Sequence, residues 1–305
     1  MVEYGWNKGM ERVLISGSSG LIGSALVHSL ERTGTGVMRL VRGTPRNASE
    51  IALGPGGGPA RAAVSGFDAV IHLAGESIVG RWSEAKKKKI RESRVQGTAN
   101  LAGVLAAAEI KPKVFACASA TGFYGDRGDE VLTERSASGT GFLAEVARDW
   151  EAAARIAADA GIRTVNLRTG LVLSANGGAL AKMLLPFRLG LGGRLGSGRQ
   201  WWSWIHIEDV IGAIHHVIAT ADLSGPVNLV APNATRNAEF TNKLASTLHR
   251  PALFPVPALA LELAFGRMPA RELFLSSVRA MPEKLVNEGY NFRFPDLDRA
   301  LEDLV

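Results

Sequence analysis

The feature that most constrains this chain is a glycine triplet set between two regular elements. In RVLISGSSGLIGSALVHSLE, residues 12–31, the apolar run Val13-Leu14-Ile15 passes into Gly17, Gly20 and Gly23, and Leu21, Ile22, Ala25, Leu26 and Leu30 then recur at helical spacing. The order is strand, tight turn, helix. Gly17 gives the turn its backbone freedom, Gly20 leaves no Cβ under a bound diphosphate, and Gly23 lets helix and sheet approach. The unpaired N–H groups of the helix start then face the phosphates. Alone the triplet is a weak sign, because turns collect glycine.

The spacing is Gly-x-x-Gly-x-x-Gly, which resembles the short-chain dehydrogenase/reductase superfamily, and within it the extended branch of sugar-nucleotide epimerases and dehydratases. The expected contacts to a dinucleotide begin with this loop: Gly17, Ser18, Ser19, Gly20, Leu21, Ile22 and Gly23.

A chain of 305 residues, 46% hydrophobic and 21% charged, can bury a full core and carry one large α/β domain with a smaller one appended. Its single cysteine, Cys117, lies in an apolar run, which excludes a disulfide within the chain and points to a reducing compartment. No apolar run nears the roughly 20 residues that span a bilayer, and the first residues do not read as a signal peptide. The expectation is a cytoplasmic protein with no membrane partner. Net charge is +6, and the densest run, Lys86–Lys89, falls on an expected helix and reads as a solvated face. Without a recognised binding module, nucleic acid is not an expected partner.

Residues 37–41 form a second expected strand, after which dinucleotide folds place an acid against the ribose hydroxyls. Here Arg42 stands at that point, with Arg39 behind it. A guanidinium there suits a 2′-phosphate, so the expected cofactor is NADP (NADPH). Residues 43–66, rich in Gly, Pro and Ala, read mostly as loop where a third strand is due. DAVIHLAGE (68–76) is a buried strand ending in Leu73, Ala74 and Gly75, similar to the strand end that lies along the cofactor in extended enzymes. A long helix follows over 83–109. Its SRVQGTANL segment resembles the family's Asn-Val-x-Gly-Thr, with Arg94 in place of the asparagine. A buried arginine needs an anion, and the resemblance implies that Arg94 contacts the cofactor, with Lys89 also in the expected binding set.

PKVFACASATGFYGD (112–126) resembles the Ser-Ser-x-x-x-Tyr-Gly segment in which a hydroxyl bonds the reacting oxygen of the substrate. The resemblance makes Ser119, Thr121 and Tyr124 the catalytic candidates, in that order for the hydroxyls. The superfamily's Tyr-x-x-x-Lys pair is missing: the helix over 141–154 has neither residue, and Tyr4, Tyr124 and Tyr290 are the only tyrosines. Glu145 or Lys182 could substitute. Residues 162–173 form the next expected strand, whose Arg168 matches an arginine near the nicotinamide end. His206 and Asp209 in WIHIEDV are expected to hold a strand-to-helix turn, and no metal-ligand spacing surrounds them.

The flanks narrow the resemblance. KMLLPFRLGLGGRLGSGRQWWSWIHIEDV and SATGFYGD, with the tail RAMPEKLVNEGYNFRFPDLDRAL, are similar to the YfcH-like branch of NAD(P)-dependent epimerase/dehydratase proteins, whose members also lack the Tyr/Lys pair. The resemblance implies an α/β fold, a Rossmann-like doubly wound parallel sheet with a smaller C-terminal substrate-binding part. The expected division is 10–175 plus 200–225 for the cofactor domain, and 176–200 with 226–305 for the substrate part. Glycines make 190–198 an expected mobile loop, and Trp201, Trp202 and Trp204 either stack on a ligand or pack a core. The function implied is an NADP-binding epimerase or oxidoreductase acting on a small, nucleotide-linked or phosphorylated substrate. The competing reading is a cofactor-sensing protein without turnover, and the expected quaternary state is a monomer or homodimer.

Overall fold

The computed structural model describes residues 10–54 and 58–305. Seven parallel strands form the central sheet: β1 (Arg12–Ser16), β2 (Gly36–Val41), β3 (Glu50–Ala52), β4 (Ala69–His72), β5 (Val114–Ala120), β7 (Arg163–Thr169) and β11 (Gly225–Leu229). β6 (Val131–Leu132) lies outside it. Their order is β3-β2-β1-β4-β5-β7-β11, so the chain reverses direction across the sheet between β1 and β4. In doubly wound folds, ligands bind outside the carboxyl ends of the strands at that switch point.

Side-chain alternation divides the apolar residues of each strand between two layers. Val13 and Ile15 of β1 pack with α1 (Leu21–Arg32) and α5 (Ile207–Ala219) on one face. Leu14 packs on the other with α2 (Glu84–Ala106) and α3 (Phe142–Asp159), through Leu101, Leu105 and Trp150. The third strand expected within 43–66 is present but only three residues long, and part of the glycine cluster at 54–58 lies outside the described residues.

The strand expected over 162–173 is broken at Gly170. A Cβ there would sit 2.3 Å from the Ser203 carbonyl oxygen, and beyond it β8 (Leu171–Leu173) leaves the sheet to pair with β10 (Trp204–His206). The boundary expected after 225 falls inside β11, all five residues of which pair with β7.

A further core joins Leu173 and Trp204 to α4 (Gly178–Arg188), α6 (Asn237–Thr247) and α10 (Leu297–Leu304). The remaining C-terminal elements are β9 (Trp201–Trp202), β12 (Thr235–Arg236), α7 (Ala258–Phe265), α8 (Arg267–Pro269), β13 (Arg279–Ala280) and α9 (Glu283–Asn287), with one wide helical turn over 270–275. The 190–198 loop, expected to be mobile, is tied down: Val256 N–H donates to the Arg194 carbonyl (2.8 Å) and Gly196 N–H to the Val256 carbonyl (2.8 Å). Trp204 is buried and donates to the Asn233 carbonyl, and Trp202 packs against Phe240. Trp201 lies between the guanidinium groups of Arg236 and Arg279.

Candidate functional site

The crevice at the switch point is about 890 Å³ and opens over the glycine loop. Gly17 has φ +74°, and a Cβ there would lie 2.7 Å from the Ala74 nitrogen. A Cβ at Gly23 would lie 2.1 Å from the Gly17 carbonyl oxygen. Both positions therefore require glycine. Gly20 caps α1 with no side-chain bond, and the first turn of α1 carries no acid, so its N–H groups are left for an anion. Ser18, Ser19 and Gly20 line the crevice. Leu21 and Ile22 do not: Leu21 packs on Gly177 and Gly178 beside a neighbouring recess, and Ile22 packs on the core.

At the far end the crevice runs between β2 and β3, past Arg39, Arg42 and Arg46. Arg39 is held by Glu31 at 2.5 Å. Arg42 and Arg46 are exposed and form no ion pair among the described residues. Arg46, inside a segment read as loop, was not singled out; only the fold brings it beside Arg42. Beneath the loop, Leu73, Ala74 and Gly75 form the crevice floor with His72. The His72 Nδ1 bonds Ser16 Oγ, its Nε2 has no partner, and burial pushes its pKa down to about 4, so the ring is neutral.

Two expected cofactor contacts are corrected. Arg94 is buried, but its guanidinium donates to the carbonyls of Glu76 (2.9 Å) and Ile90 (3.3 Å) and lies over the Trp150 ring, so carbonyl oxygens and a π face replace the anion it was expected to need. Burial lowers its pKa to about 10. It braces Gly75 from behind, where a Cβ would meet the guanidinium carbon at 3.3 Å. Lys89 is exposed on α2 and does not line the crevice. Its neighbours Lys86, Lys87 and Lys88 pair with Glu76, Glu84 and Glu92.

The residues expected at the reaction centre, Ser119, Thr121, Tyr124 and Arg168, do not line the crevice. Arg168, expected at the nicotinamide, is enclosed: Nε and a terminal nitrogen each donate to Glu151 at 2.8 Å, and the other terminal nitrogen donates to Tyr124 Oη at 3.0 Å. The Phe123 ring stacks 3.5 Å below the guanidinium carbon. Burial alone would lower the Arg168 pKa, but Glu151 and Tyr124 bring it above the usual arginine value. Tyr124 is fully buried, its oxygen placed against the Thr133 carbonyl (3.0 Å) and Asn228 Oδ1 (2.7 Å), and burial pushes its pKa up. It has no open side toward a substrate. Ser119, the leading hydroxyl, donates to Glu151 at 2.7 Å. Thr121, half-buried at the turn after β5, makes no side-chain hydrogen bond among the described residues. Of the two hydroxyl candidates, Ser119 is engaged and Thr121 is not, and neither lines the crevice.

Sequence reasoning missed Glu151, Asn228 and Glu134, which close this network. Glu134 Oε1 accepts from the Asn228 backbone N–H at 3.0 Å. Of the proposed substitutes, Glu145 faces Arg91 and Lys182 is exposed. His206 Nδ1 accepts from Glu208 N–H, and the Asp209 carboxylate accepts from the N–H groups of Arg293 and Phe294 (both 2.8 Å), which docks the C-terminal tail on α5. No cluster of metal ligands occurs among the described residues.

Two contacts join the sheet domain to the C-terminal part. α3 starts at Gly141, which provides no cap, and the Glu272 carboxylate accepts from the N–H groups of Phe142 (3.0 Å) and Leu143 (2.7 Å) instead. In the other direction, Arg81 donates to the Leu263 and Ala264 carbonyls at the end of α7.

The sequence model of the NAD dependent epimerase/dehydratase family matches residues 13–230. The chain belongs to that family. Residues 256–304 match a second model, a domain of unknown function designated DUF1731. Among relatives of this family member, an epimerase family protein of Mycobacterium bovis is 43% identical over 291 residues, which is 95% of this chain and 96% of that protein. The human epimerase family protein SDR39U1, solved with NADPH, superposes with a TM-score of 0.88 at 34% identity, covering 96% of this chain and 98% of that one. The nucleoside-diphosphate sugar epimerase of Corynebacterium glutamicum gives 0.80 at 40% identity, over 96% of this chain but 57% of that longer protein.

Proposed function

We propose that this chain binds NADP(H) along the switch-point crevice and works as an epimerase or oxidoreductase on a small, nucleotide-linked substrate. The observation that carries the reading is the pairing of a loop whose Gly17 and Gly23 have no room for a Cβ with two exposed guanidinium groups, free of any ion pair among the described residues, farther along the crevice. The α1 amides hold the diphosphate. Arg42 and Arg46 hold the 2′-phosphate through charge-assisted bonds, and Leu73, Ala74 and Gly75 support the rest of the dinucleotide. When bound, the nicotinamide supplies hydride acceptance and return. Thr121 donates to or accepts from the reacting oxygen of the substrate, and Ser119 acts through Glu151 to fix the end of β5. The NADPH held by the human relative and the name of the corynebacterial one support this assignment.

A second reading, a cofactor-sensing protein without turnover, is favoured by one observation: Ser119, Tyr124 and Arg168 are locked into one another. Fluorescence titration tests the cofactor, with NADPH expected to bind about tenfold or more tightly than NADH; the reverse order removes NADP. Product analysis with nucleotide sugars, aldehydes and ketones separates the two readings. Turnover that Thr121→Val abolishes supports the enzyme. Tight NADPH binding with no product from any of them supports the sensor.

A further inference from the structure

Away from the crevice, the C-terminal part presents a surface that nothing among the described residues covers. Leu185 and Leu189, one helical turn apart at the end of α4, are each 65% exposed, and Leu259 and Leu263, one turn apart on α7, are 66% and 68% exposed. Between them project Leu253 (75%) and Phe254 (59%). Contacts between these segments bring the end of α4 and the stretch leading into α7 side by side. Arg250 Nε donates to the Arg188 carbonyl at 3.0 Å, and Gly193 is pressed so closely on the Phe254 carbonyl that a Cβ would lie 1.8 Å from its oxygen. Large apolar side chains gathered this way on a surface mark an interaction site.

The charge around them that is left without an ion pair among the described residues is basic; Glu262, on α7 itself, is paired with Arg271. No Asp or Glu occurs in residues 160–207 or 240–261, the stretches that supply most of this surface. Lys182, Arg188, Arg194, Arg250 and Arg267 are exposed and form no ion pair among the described residues. The cations of α2, by contrast, are largely paired.

We propose that this face docks the protein peripherally on an anionic phospholipid surface. Exposures of about two-thirds describe side chains that project from the surface instead of lining a groove, which suits insertion between headgroups better than capture of a peptide. The basic rim complements anionic headgroups, and it opposes a second copy of the same face, whose charges would repel it. The absence of a spanning segment is compatible with this, since such a face lies on a bilayer without crossing it; no helix among the described residues is long and apolar enough to cross a membrane.

The test is co-sedimentation of the full chain with vesicles of equal parts phosphatidylglycerol and phosphatidylcholine, against phosphatidylcholine alone. Binding is expected to be at least tenfold stronger to the anionic vesicles and to weaken with added salt. The pairs Leu253→Ser with Phe254→Ser, and Arg188→Glu with Arg250→Glu, should each reduce it tenfold or more, with unchanged melting curves showing that the variants remain folded. The proposal is overturned by no binding, by equal binding to neutral vesicles, or by anionic binding that survives the apolar pair. Self-association in solution that the apolar pair abolishes would make a second copy the occupant, and would overturn it too.

Discussion

Arg42 and Arg46 line the crevice with exposed guanidinium groups that form no ion pair among the described residues, whereas Arg168, outside that lining, is clasped by both oxygens of Glu151 and covered by Tyr124 and Phe123. The same residue type thus does opposite work in two regions of the molecule. An unpaired guanidinium at a solvent-accessible edge is available to a ligand phosphate. A guanidinium that is 4% exposed and bonded throughout is part of the protein's framework. The crevice arginines are free to meet a ligand, and the Arg168 network is built to be rigid.

The largest expected effect breaks the Arg168 network. Glu151→Ala strips Arg168 of its carboxylate and Ser119 of its acceptor, and loss of one partner of a buried ion pair costs about 3–5 kcal/mol. Urea denaturation is expected to show that loss, and a variant within about 1 kcal/mol of the parent would mean that the network is not structural. The next effect sharpens the role of the crevice arginines. Replacing Arg42 and Arg46 together by Ala is expected to weaken NADPH about tenfold to a hundredfold, from lost charge-assisted bonds of roughly 1.5–3 kcal/mol each partly replaced by water, and to leave NADH within about twofold. Equal loss for both cofactors would place the arginines away from the 2′-phosphate.

The smallest effect concerns the floor of the crevice. His72 is neutral in the folded protein, with its pKa lowered by burial from 6.5 to about 4, so the unfolded chain takes up a proton first as pH falls. Its contribution is intact above pH 6.5 and is lost progressively down to about pH 4. Melting temperature is expected to fall through that window, and less steeply in His72→Asn than in the parent. Identical slopes would exclude His72 as a source.

The glycine loop was legible in the sequence because its geometry is local. Strand, glycine turn and helix are contiguous, and backbone geometry dictates Gly17 and Gly23 whatever surrounds them. The Arg168 network was not. Ser119, Tyr124, Glu134, Glu151, Arg168 and Asn228 come from strands, turns and a helix spread over more than a third of the chain. Each polar residue read singly resembles a reactive group until its partners are known. Arg94 illustrates the same limit: burial implied an anion, but two carbonyl oxygens and the Trp150 face sufficed. Gly170 was legible only in retrospect, since the break it makes depends on Ser203, thirty-three positions later.

The carboxylate of Glu272 carries one more consequence. Because α3 has no cap of its own, its first amides depend on a residue from the far lobe. Any movement that withdraws Glu272 from α3 also loosens the opening turn of that helix, at a cost of about 1 kcal/mol typical of a lost cap. Departure of that carboxylate and fraying of the helix are one event.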